Sequence, residues 1–74
     1  MSEADKMFYN IGFEKKIEDE KQVEYRDIED RDLYIIIYKK DKEVTGIPNY
    51  RGSLTISILK AIYKKCRELR LLDE

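Results

Sequence analysis

Leu33-Tyr34-Ile35-Ile36-Ile37-Tyr38 decides the fold. Six consecutive residues are β-branched, aromatic or aliphatic, the side chains that suit a pleated, packed surface. Charged or turn-forming residues bound the run on both sides. It is apolar on both alternating faces, which predicts a strand in the middle of a sheet that needs cover on each side.

The elements around it follow from periodicity. Upstream, Phe13, Lys15 and Ile17 alternate with Glu14, Lys16 and Glu18. Asp19-Glu20-Lys21 supplies a turn, and Val23 and Tyr25 then alternate with Gln22, Glu24 and Arg26. A period of two with one wet face predicts a hairpin. The acidic stretch Asp27 to Asp32 reads as a loop. Downstream, Lys39 to Lys42 makes a charged turn and Glu43-Val44-Thr45 returns as an edge strand. Gly46, Pro48, Asn49 and Gly52 then break regular structure.

Helices are predicted at both ends. Ser2 suits an N-cap, with Glu3 and Asp5 where the positive helix end favours carboxylates. Met7, Phe8 and Ile11 share one face, and Gly12 stands where a left-handed C-terminal cap belongs. The second helix runs from about Ile56 to Leu69, capped by Thr55 or Ser53. Ile58, Leu59, Ile62, Cys66 and Leu69 form its expected apolar stripe. Lys60, Lys64 and Arg67 fall on the opposite side with Tyr63 beside them. The expected fold is a single α+β domain over residues 1–74, ordered α-β-β-β-β-α. Its antiparallel meander sheet is covered by the C-terminal amphipathic helix, with the short first helix beside it. The outer face of the central strand is left without cover in the chain.

Composition removes several chemistries. The chain has 74 residues, one cysteine and no histidine. An internal disulfide is impossible, and a zinc site of the usual Cys/His kind cannot be assembled. Cys66 and the serines have no imidazole to activate them, and Cys66 on an apolar stripe behaves as a small hydrophobe. Glu29, Asp30 and Asp32 lack the alternating ligands and central glycine of a calcium loop. The expectation is therefore no enzyme, no metal and no cofactor. No apolar run is long enough to span a bilayer and the first residues are acidic and polar, so the expected place is the cytoplasm, away from membranes.

Charge and tyrosine mark candidate surfaces. Residues 1–32 hold eleven Asp/Glu against six Lys/Arg, a balance of −5; residues 33–74 hold five against nine, a balance of +4. Six tyrosines stand at 9, 25, 34, 38, 50 and 63. Core or sheet packing is the reading for Tyr25 and for one of Tyr34 and Tyr38. Tyr50 and Arg51 lie in a loop just before a helix, where an aromatic ring, a guanidinium and helix amides together suit a nucleotide phosphate. Lys60, Tyr63, Lys64 and Arg67 would add positive charge and a further ring. A sequence pI near 5.5 argues against general nucleic-acid binding. A small domain with a two-sided apolar strand also points to a homo-oligomer.

Three segments carry a resemblance: Ala4-Asp5-Lys6-Met7-Phe8 through Gly12-Phe13-Glu14-Lys15, then Tyr34 to Lys42, then Leu59-Lys60-Ala61-Ile62 through Cys66-Arg67-Glu68-Leu69. Together they resemble a group of small uncharacterised proteins encoded by phages and prophages of Gram-positive bacteria. The group often ends in a Leu-Gly-Trp-Leu type sequence, where this chain has Leu69-Arg70-Leu71-Leu72. The resemblance implies a setting among accessory phage genes that block host defence. The expected function is then inhibition of a bacterial defence system in the host cytoplasm. It would act by sequestering a nucleotide signal or by binding a defence nuclease or effector directly. A structural or regulatory oligomeric module is the alternative.

Overall fold

The structure, a computed structural model, describes residues 1–46 and 55–72. Helix α1 (Glu3–Asn10) leads into strands β1 (Phe13–Glu18), β2 (Gln22–Asp27), β3 (Tyr34–Tyr38) and β4 (Glu43–Thr45), and helix α2 (Ile56–Glu68) follows. The strands form one antiparallel sheet in the order β1-β2-β3-β4. This is the expected α+β meander.

The helix ends are chemically specified. The Ser2 hydroxyl accepts the Asp5 N–H at 3.1 Å, and the Thr55 hydroxyl accepts the Ile58 N–H at 3.1 Å. Each satisfies an amide that the first helical turn cannot. Gly12 (φ +96°) ends α1 in the left-handed region. Arg70 (φ 58°) does the same for α2. There Leu71 N–H reaches the Cys66 carbonyl at 2.9 Å and Arg70 N–H reaches that of Arg67 at 3.0 Å, the paired bonds of a Schellman end.

One irregularity sets the faces of the sheet. A β-bulge lies between Lys15 and Ile17. Lys15 pairs with Tyr25, but Ile17 pairs with Glu24 and Glu18 with Val23. The extra residue reverses the alternation beyond it. Ile17, expected to share a face with Phe13, instead lies on the opposite face and is 38% exposed. Glu18 takes its place on the helix side.

Both helices pack on that side. Phe8, Phe13, Val23, Tyr25, Ile35, Ile37, Ile58, Ala61 and Ile62 form the buried cluster. The Phe8 ring stacks on Tyr25 at 3.7 Å and meets Phe13 edge-on at 6.3 Å. Strand β3 contributes Ile35 and Ile37, while Tyr34, Ile36 and Tyr38 project together to the other face. Neither β3 tyrosine joins the buried cluster, which corrects the core alternative and leaves sheet packing. They are four residues apart in one strand and share a face. The α2 stripe is corrected too. Leu59 is 45% exposed, and Ala61 and Lys65 are buried instead. Among the described residues no helix lies on the Tyr34–Ile36–Tyr38 face.

Candidate functional site

The outer face of α2 carries the charge expected of it. Lys60, Tyr63, Lys64 and Arg67 recur at helical spacing along it. Lys60, Tyr63 and Arg67 are exposed and Lys64 is half-buried. The Arg67 guanidinium lies 5.8 Å from the Tyr63 ring centre, within cation–π range. Lys64 pairs with Glu3 of α1 at 3.4 Å, which takes up part of its charge. Beside this stripe, Met7, Asn10, Ile11, Ser57 and Lys60 line a groove of 190 Å³ between the two helices. Pockets that enclose a small ligand run from about 300 Å³ upward, so this groove alone seats only part of a nucleotide. Tyr50 and Arg51 lie outside the described residues.

A second constellation was not anticipated. Asp5 and Lys65 are both buried, with side chains 4% exposed, and their charged atoms lie 3.3 Å apart. Asp5 Oδ1 also accepts the Tyr25 hydroxyl at 2.6 Å, and Oδ2 accepts the Lys15 ammonium at 2.8 Å. Lys15 reaches Glu18 at 2.6 Å, and Lys65 reaches Glu18 at 3.4 Å and Glu68 at 3.8 Å. Glu68 Oε2 in turn accepts the Ala4 N–H at 2.9 Å. The network ties α1, α2, β1 and β2 together. Among the described residues no buried side-chain polar atom lacks a partner.

The electrostatics follow from these contacts. Burial pushes the Asp5 carboxyl up, but hydrogen bonds from Lys15, Tyr25 and Lys65 outweigh it and hold the acid well below the usual carboxylate range. Burial and the Asp5 charge push the Tyr25 phenol far above its ordinary value. A carboxylate held down so strongly is a poor base, so the network reads as structural glue. A cleft of 280 Å³ opens beside it, lined by Met1, Asp5, Tyr9, Glu14 and Lys15. The sequence did carry a signal for this network. Lys65 lies three and four residues from Ile62 and Ala61, on the buried stripe, and Asp5 adjoins Ala4 on that of α1. Two opposite charges at core positions of two packed helices imply a pair.

The remaining candidates take structural roles. Asp27 Oδ1 accepts the N–H groups of Glu29 and Asp30, both at 2.8 Å, so this acid organises its own loop. Among the described residues no group of three or more His, Cys, Asp or Glu is placed to hold a metal ion. Cys66 packs against the core, and burial pushes its thiol up, away from the reactive thiolate. No described helix is long and apolar enough to cross a membrane. Comparison with protein-family models, with curated proteins and with solved structures finds no match for this chain.

Proposed function

We propose that this protein is a non-enzymatic binding protein that engages an anionic ligand through the outer face of α2. In the setting implied by the phage-group resemblance, that ligand is a nucleotide signal of a bacterial defence system, held out of circulation in the host cytoplasm. The observation that supports this is the stripe Lys60–Tyr63–Lys64–Arg67, exposed except at the half-buried Lys64, in which three cations flank an aromatic ring on an otherwise slightly acidic protein. Cation, guanidinium and ring are the groups that recognise phosphate and base. Tyr50 and Arg51 precede this helix in the chain and supply the ring and guanidinium that the sequence reading assigns to the same ligand. Calorimetry against cyclic and ADP-ribose-type nucleotides tests the reading. Saturable binding lost in both Arg51→Ala and Arg67→Ala, with folding intact, is the expected result. Silence across the panel overturns it.

A second reading is direct inhibition of a defence nuclease or effector. Its support is the tyrosine-bearing sheet face, which no described helix covers. Capture of a host protein by the wild type but not by an Ile36→Lys variant would favour it over nucleotide binding.

A further inference from the structure

From the sheet face that no described helix covers we infer that this protein forms a two-fold symmetric dimer, with the β2–β3 surface of one copy laid against the same surface of a second. Two adjacent rows make up that surface. Strand β2 presents Gln22, Glu24 and Arg26, and β3 presents Tyr38, Ile36 and Tyr34 directly beside them as cross-strand partners. A two-fold interface requires a surface complementary to itself. A two-fold axis parallel to the strands, running between β2 and β3, sets the β2 row of each copy over the β3 row of the other. Levels along the strands are kept. Arg26 of one copy then meets Tyr34 of the second, Glu24 meets Ile36, and Gln22 meets Tyr38.

The contacts within one copy show why this pairing works. Arg26 already lies 5.0 Å from its own Tyr34 ring centre, so the second ring completes a stack on the other side of the guanidinium. Glu24 is neutralised by Arg26 at 3.0 Å, and Glu14 is paired with Lys16 and with Arg31 at 3.6 Å. These charges enter the interface already matched, so two copies do not repel through them. The apolar contact comes from Ile36 at the centre, with Ile17 on the neighbouring strand at the same level. A non-self partner would have to supply the same alternation of aromatic and charged rows. A second copy has it by construction.

Area sets the strength. Strands β1 to β3 run five or six residues and β4 three, so at about 3.4 Å per residue and about 4.8 Å between strands the face is at most roughly 17 by 19 Å. Two such faces with their side-chain relief bury on the order of 1,000 Å², the lower bound for a specific interface. The dimer is therefore weak and concentration-dependent. It stands independently of nucleotide binding on α2.

Sedimentation equilibrium of the full chain from about 10 µM to about 1 mM tests it. The apparent mass is expected to rise from 8.9 kDa toward twice that value. Ile36→Lys is expected to weaken association at least ~10-fold, and Lys6→Ala, on exposed α1 surface, to leave it unchanged. Amide shift changes on dilution of the wild type provide a second readout that needs no variant. They are expected at β2 and β3. A monomer at every concentration, a dimer indifferent to Ile36→Lys, or dilution shifts confined to the helices overturns the proposal. A wild type that stays monomeric while Ile36→Lys loses a host protein assigns the face to that partner instead.

Discussion

The Tyr25 hydroxyl donates a 2.6 Å hydrogen bond to the Asp5 carboxylate, twenty residues away in sequence and fully inside the domain. Lys65 of α2 closes on the same carboxylate oxygen at 3.3 Å. One acid thus fixes the distance between both helices and the sheet.

Removing parts of this arrangement has graded costs. Tyr25→Phe deletes one hydrogen bond to a charged acceptor and should destabilise by about 1–3 kcal/mol. Asp5→Ala leaves Lys65 only Glu18 and Glu68, at 3.4 and 3.8 Å, and strands the buried Tyr25 hydroxyl, so it should cost about 3–5 kcal/mol. The pair of changes Asp5→Leu with Lys65→Met removes both charges together and should recover much of that loss. Urea unfolding of the four proteins measures the series. An Asp5→Ala variant as stable as wild type would show that the network contributes nothing.

The same groups predict the pH profile of stability. Asp5 is lowered in the folded state, so it releases its proton more readily there than in the unfolded chain. Its contribution is complete above the ordinary carboxylate range near pH 4, and declines as pH falls below it. Tyr25 and Lys15 are raised, so their contribution is complete below about pH 10 and declines above it. Thermal melts should show a plateau between these limits. The acid limb should flatten in Asp5→Asn.

Two glycines with the same φ of +96° should respond differently to alanine. At Gly12 an added Cβ meets nothing within 4 Å, so the cost is that of the left-handed backbone, about 1 kcal/mol. At Gly46 the Cβ would collide with the Tyr34 carbonyl oxygen, a backbone atom that cannot move without opening the end of the β3–β4 pair. Gly46→Ala should cost ~3 kcal/mol or more. Equal melting temperatures for the two variants would contradict this.

Neighbouring aliphatic residues on α2 should separate just as clearly. Leu59→Gln alters an exposed side chain and should stay within about 0.5 kcal/mol of wild type. Ile62→Ala opens a hole in the buried cluster and should cost about 2–5 kcal/mol. Ile17→Thr, on the open face beyond the bulge, should behave like Leu59→Gln in a dilute, monomeric sample. Chemical denaturation at low protein concentration checks all three.

Local chemistry was enough to read the element order, the cap at Ser2, the choice of Thr55 or Ser53 for the second cap, the stop at Gly12 and the central position of the Ile35–Ile37 strand. Each depends on residues within one turn or one strand, and periodicity and capping report such short-range rules directly. Which side of the sheet each residue takes was settled at longer range. The bulge after Lys15 exchanges Ile17 for Glu18, and a reading of strict alternation passes over it because the sequence has no gap there. Leu59 and Lys65 trade places on α2 for a related reason. Hydrophobicity ranks leucine inward and lysine outward, but Asp5 and Glu18 offer Lys65 two carboxylates within 3.4 Å, and no such offer is visible until α1, β1 and α2 are packed together. The sequence determined what each segment would be. The tertiary structure decided which charges were inside, because the cost of burying a charge depends on a partner that sixty residues of chain separate from it.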